Sequence, residues 1–199
     1  MDRLKDHLLE RIHSIEFSGE VTSFTDAERE SLVIVQNAMY EHKIVSVNYT
    51  TYDLRQEQDM INPRTHADIL LLSHETDSEL DRHPYWYAWV VKIFHVYVRY
   101  YSRDSQSHDL KCIDILFVRW FGRDKAHCSS FSAHCLPRIG FVPEEDLDSF
   151  GFLDPNIVIC GVHLIPAFSI GRTEELLGPS LARPEKDSDE DWQAFYVNM

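Results

Sequence analysis

The chain has 199 residues, 44% hydrophobic and 12% aromatic, with a formal net charge of −14. That length suits one domain and supplies a core, which excludes wholesale disorder, and no run approaches the ~20 apolar residues of a membrane span. Asp2, Asp6 and Glu10 in the opening stretch do not fit a secretory signal, so the four cysteines, which form no C-x-x-C pair, are expected to be reduced thiols in the nucleus or cytoplasm.

Leu4, Leu8, Ile12 and Ile15 recur at helical spacing, which predicts a helix over residues 3–17, closed by Ser18-Gly19. Thr25 followed by Glu28 is a capping-box signature, and a second helix is expected over Asp26–His42. The period then changes to two through Val45, Val47 and Tyr49, predicting a strand over Ile44–Tyr52; polar Asp53–His66, with Asn62-Pro63, reads as a loop. Further strands are expected at Ile69–Ser73, Trp86–Tyr100, Ile113–Phe121, Leu136–Val142 and Val162–Phe168. The long aromatic strand must bend or bulge, as strands do when a small barrel closes. Phe94 and Trp120 are the expected deep core. Asp154-Pro155 reads as a helix start, Thr173–Leu177 as one helical turn before Gly178-Pro179, and the acidic stretch from Arg183 as a mobile tail.

The expected fold is therefore α+β: a small, strongly bent antiparallel β-barrel with N-terminal helices and an acidic C-terminal tail. The expected units are a helical segment over 1–42, a barrel-like domain over 43–182 and the tail over 183–199.

Charge is unevenly distributed. Residues 1–81 hold 7 Lys/Arg against 17 Asp/Glu, residues 82–138 hold 9 against 4, and residues 139–199 hold 3 against 12. A basic centre between acidic flanks either receives an anionic partner or is complemented within the fold, and the overall acidity favours internal complementation. DNA is accordingly the weaker partner expectation.

Motifs for catalysis are sparse. There is no phosphate loop, no G-x-S-x-G elbow and no H-E-x-x-H pair, and the seven glycines do not cluster. His127-Cys128 and His134-Cys135, with Cys112 and Cys160, are the metal-like group, but their spacing does not match usual zinc ligation, so no metal or other cofactor is expected. Asp68, Asp114 and Asp154 border apolar elements and would have to converge on divalent ions for a metal-dependent nuclease; cap and surface roles explain them as well.

The stronger candidate is a binding site of rings and guanidinium groups. Tyr85, Tyr87 and Trp89 share one strand face, while Arg99, Arg119 and Arg123 lie along the same two-strand ribbon. Rings can flank a methylated ammonium or stack on a base, and the arginines can hold an anion; rings equally pack beneath neighbouring elements.

The stretches NYTTYDLRQEQDMINPRTHADILLLSHE, HPYWYAWVVKIFHVYVRYY, DILFVRWFGRD, RIGFVPEEDLDSFGFLDPNIVICGVHLIPAF, GRT and EDWQAFYVNM carry a resemblance. From about residue 30 onward the chain resembles the C-terminal region of Plavaka-type fungal DNA-transposon proteins, relatives of the CACTA superfamily. The resemblance implies a nuclear, transposon-derived accessory region lying downstream of the transposase core, so no catalytic carboxylate carries over to this chain, which reads as a truncated or domesticated copy. Trp89 and the Cys/His pairs depart from the family pattern. The order Y-W-Y-A-x-V, I-F, V-R-W-F-x-R is also similar, at the level of fold, to bromo-adjacent homology domains. Together these imply a non-catalytic interaction module contacting chromatin, DNA or a protein partner, with no membrane and no small-molecule substrate. The alternatives are a metal-dependent nuclease fragment using Asp68 and Asp114, or a structural remnant.

Overall fold

The computed structural model describes residues 1–19, 22–51, 53–74, 83–101, 109–127, 135–177, 180, 182 and 190–198. Helix α1, Asp2–Ile12, buries Leu4, Leu8 and Leu9, and burying Leu8 and Leu9 contributes roughly 1.5–3 kcal/mol each. Helix α2, Asp26–Ser31, starts on the expected capping box: the Thr25 hydroxyl oxygen accepts from the Glu28 amide, and the Thr25 amide donates to the Glu28 carboxylate at 2.8 Å. The strands follow: β1 (Leu32–Ile34), β2 (Tyr40–His42), β3 (Val45–Thr50), β4 (Gln56–Ile61), β5 (Asp68–Leu72), β6 (Tyr85–Tyr100) and β7 (Lys111–Arg123). Then come β8 (Arg138–Phe141), β9 (Phe150–Leu153), β10 (Val158–Gly161), β11 (His163–Pro166), β12 (Arg172–Thr173), β13 (Asp191–Trp192) and β14 (Phe195–Asn198).

The antiparallel ribbon β6–β7 is the spine. Along its outer edges β6 pairs with β5, β2 and β1, and β7 pairs with β8 and β9, giving a ten-stranded sheet with the main path β10-β5-β6-β7-β8-β14-β11. The expected irregularity in the long strand is present: the register shifts between Val90 and Lys92, leaving Val91 as the extra residue. A two-residue side-chain period means that this insertion exchanges the faces. Ala88 and Val90 before it share a face with Ile93 and His95 after it, whereas simple alternation would group them with Phe94 and Val96.

Three apolar clusters fill the space around the ribbon. One lies under the β3–β4 hairpin, where Val47 and Ile61 meet Ala88, Val90, Leu116 and Val118. A second joins Leu4, Leu8 and Leu9 of α1 to Phe94, Val96 and Ile115. The third gathers Tyr87, Phe121, Ile139 and Val197. Phe94 is deep core as expected, whereas Trp120 is half-buried, its ring stacked 6.4 Å from Phe17.

The expected α+β barrel is not what forms. The chain is mostly β-sheet, with two helices among the described residues. The sheet is open: no ladder joins its end strands β10 and β11, although the chain passes directly from one to the other through Val162. The helix expected over Asp26–His42 stops at Ser31, because Leu32-Val33-Ile34 finds Val98–Tyr100 as a strand partner and Gln36 and Asn37 take φ of 58° and 50°, outside the helical region. Asp53–His66 holds β4 rather than a loop, since polar Gln56–Asp59 satisfies its backbone against β3 while Gln56, Glu57 and Gln58 face solvent and the Asp59 carboxylate accepts from the Gly161 amide at 2.8 Å. Strand β9 lies in a stretch where the sequence predicts no element, and the helix start expected at Asp154-Pro155 is a single 3-10 turn, Pro155–Ile157, capped by Asp154 and running into β10. Thr173 belongs to a two-residue strand, not a helical turn. The C-terminal end is not a tail: β14 lies between β8 and β11 with Val197 fully buried. Most of the acidic run, 183–189, lies outside the described residues.

Candidate functional site

The six ring and arginine candidates divide into three groups. Tyr85, Tyr87 and Arg123 line a cleft of about 210 Å³ with His83 and Phe121. Tyr87 is buried; its hydroxyl has no hydrogen-bond partner among the described residues, and burial raises its pKa. Trp89 is half-buried with its ring 5.8 Å from Phe141, and it faces Arg119 across the ladder. Arg119 is fully buried: it donates to Asp191 at 3.0 Å and to the Leu176 carbonyl at 3.2 Å, and lies 3.8 Å over the Phe141 ring. Arg99 is exposed near the far end of β6, roughly 30 Å along the strand from Trp89. The structure therefore does not bring the six to one surface.

The carboxylate candidates also separate. Asp68 pairs with Trp89 and Asp114 with His95, six positions apart on β6 and so roughly 20 Å from each other. Burial pushes the Asp68 carboxyl up to about 7. Asp154 is held by Arg11 at 2.9 Å, and Arg11 also donates to the backbone carbonyl of Asp114. Of the Cys/His group, Cys128 and His134 lie outside the described residues, Cys112 and Cys135 are exposed and Cys160 is half-buried.

Two features not anticipated in the sequence stand out, on opposite faces of β2, β6 and β7. On one face His42, His95 and Asp114 converge, their ligand atoms all within 4.8 Å of one another. Beside them is a cavity of about 540 Å³ lined by His42, Val47, Asn48, Asp114 and Asn156. On the other face is an open apolar groove of about 620 Å³. Its floor is a slab of rings: Phe117 stacks on Phe150 at 5.6 Å and meets Phe152 at 5.3 Å, with Phe94 edge-on to Phe152 at 6.4 Å. Ladder register builds this slab, because Phe117 faces Phe152 on β9 and Lys92 on β6. Gly151 lets β9 lie this close, since a Cβ there would stand 2.7 Å from Trp120 Nε1. Met39 and Met1 form exposed walls. Lys92 pairs with Glu41 at 2.9 Å on one rim, and Arg3 donates to the Leu147 and Phe150 carbonyls on the other.

The sequence signal for the groove was the alternation Phe150-Gly151-Phe152 with Phe117 in a strand, but β9 is too short to show a period. Compared with known protein families, with curated proteins and with solved structures, the chain finds no match.

Proposed function

We propose that this domain is a non-catalytic interaction module that receives a segment of a partner protein in the groove floored by Phe94, Phe117, Phe150 and Phe152. The observation that carries the reading is this contiguous aromatic floor at the base of an open groove with exposed Met1 and Met39 as walls, because half-buried Phe117, Phe150 and Phe152 and the two methionines gain from being covered by an apolar segment. The partner segment presents apolar anchors flanked by Lys or Arg. Its charge is argued from the exposed loop Glu144-Glu145-Asp146-Leu147-Asp148, which leads into β9 at the groove rim, and from the net charge of −14. Nucleic acid is the less supported partner, since Arg119, Arg138 and Lys92 of the basic centre are each paired with a carboxylate of the chain. The transposon resemblance agrees with an accessory role, in which the partner is a chromatin protein or another subunit in the nucleus.

The test is selection of displayed peptides against the untagged protein, followed by binding to Met39→Glu and Phe150→Ser, each checked for an intact unfolding transition. Selected peptides should carry apolar anchors with basic flanks and lose at least about tenfold in affinity on both variants. Peptides that bind both variants as tightly as the parent would place the binding surface elsewhere.

A further inference from the structure

His42, His95 and Asp114 are assembled by strand register rather than by proximity in sequence. Tyr40 faces His95 and His42 faces Ile93 across β2–β6, while His95 faces Asp114 across β6–β7, so the three side chains lie on one diagonal of one face. The extra residue at Val91 is essential to this. Continuing the register found before it would place Phe94 opposite Asp114 and turn His95 to the other face.

The rings are also held in place. Tyr40 stacks on His95 with centroids 5.0 Å apart and Tyr97 meets its edge at 5.1 Å, leaving His95 Nδ1 2.6 Å from His42 Nε2. Two imidazole nitrogens facing each other either share a proton or share a cation. At a tetrahedral ion with bonds of about 2.0–2.1 Å, two nitrogen ligands stand about 3.3 Å apart, so the exposed His42 has to swing by less than ~1 Å to admit one. Asp114 supplies the carboxylate. Arg11, which donates to the Asp114 backbone carbonyl, is paired with Asp154 at 2.9 Å, which offsets its charge.

We propose that His42, His95 and Asp114 bind one divalent first-row transition ion, zinc or an ion of similar preference, with a water in the remaining position. Two imidazoles and one carboxylate suit such ions and are too nitrogen-rich for magnesium or calcium. Three protein ligands beside a cavity lined by His42, Asn48, Asp114 and Asn156 leave that fourth position open to an exchangeable small molecule. The site lies on the face opposite the aromatic groove and stands or falls independently of the partner-binding reading.

The experiment uses untagged full chain stripped with a chelator, titrated calorimetrically with zinc and spectroscopically with cobalt(II), alongside His42→Ala, His95→Ala and Asp114→Asn. One equivalent should bind with a tetrahedral cobalt spectrum, and each substitution should weaken binding at least about tenfold. Zinc should raise the unfolding midpoint of the parent and not of the variants. In chelator the His42→Ala and Asp114→Asn midpoints should remain near the parent's because both side chains are exposed, whereas His95→Ala loses ring contacts with Tyr40 and Tyr97 and is compared only with and without zinc. Absence of binding overturns the proposal. So does stoichiometric binding that survives the His42→Ala/His95→Ala double substitution, which would locate the ion elsewhere.

Discussion

Arg119 is fully buried, and a carboxylate that pairs with it, Asp191, comes from the far C-terminal end of the chain. An uncompensated buried charge costs more than the pair contributes. Arg119→Met alone, or Asp191→Asn alone, should lower stability by roughly 3–5 kcal/mol in urea unfolding, whereas Arg119→Met with Asp191→Leu should recover most of that loss. A similar loss in single and double variants would show that packing over Phe141, not the charge pair, is what matters. In the sequence Arg119 reads as a surface cation on a ribbon, because nothing local reveals a partner 72 positions away.

Two titrating groups, His7 buried and Asp68 half-buried, act on stability in opposite directions. Burial lowers His7 to about 4 from its ordinary value near 6.5, so the unfolded chain takes up a proton that the fold refuses. Its contribution is complete above pH 6.5 and is lost as pH falls to about 4, in total about 3 kcal/mol. Asp68, raised to about 7, does the reverse: the fold holds its proton more tightly, and stability is lost as pH rises from about 3.8 through 7. His7→Gln should flatten the acid side of the stability profile, and Asp68→Asn should stabilise at pH 8 with little effect at pH 4. Unfolding midpoints across that range check both; unchanged profiles would mean that neither side chain is held as desolvated as its place in the fold implies.

Strands with strong, long patterns were legible from residues alone: Trp86–Tyr100 and Ile113–Phe121 lie inside β6 and β7. Their irregularity could also be anticipated, but not its position, and one inserted residue decides which side chains meet. Short strands failed for a physical reason. Four residues such as Phe150–Leu153 or Phe195–Asn198 gain their stability from ladders to distant partners, so their own composition carries little signal. The acidic run ahead of Asp191 concealed β14 in this way. Because β14 pairs with β8 and β11 and buries Val197, with Ala194 just before it also buried, deleting residues 190–199 should abolish cooperative unfolding rather than trim a dispensable end. A truncated chain with an unchanged transition would show that β14 is not part of the folding unit.

At the scale of the molecule, the uneven charge along the sequence becomes internal complementarity. Arg119 with Asp191 and Lys92 with Glu41 join the basic ribbon to the acidic segments after and before it. The sequence allowed this outcome as one of two readings, and an anion-binding ribbon was the other. The candidate surfaces were less legible. A groove built from β6, β7 and β9 requires knowing that Phe117 faces Phe152, and the His42 site requires β2 to be a strand rather than a helix. What remains is a net acidic chain with a groove floored by half-buried rings, which suits a basic, apolar-anchored protein segment better than a phosphate backbone.

The most direct test of that account is backbone amide NMR of the labelled protein, titrated separately with a selected basic peptide and with a short DNA duplex across a salt series. The account predicts peptide-induced shifts confined to Met1–Leu4, Met39–Glu41, Lys92–Phe94, Phe117 and Phe150–Phe152, with DNA producing no saturable change at physiological salt. Saturable DNA-induced shifts at Arg99, Lys111 and Arg123, fading steeply as salt rises while the groove amides stay still, would contradict it.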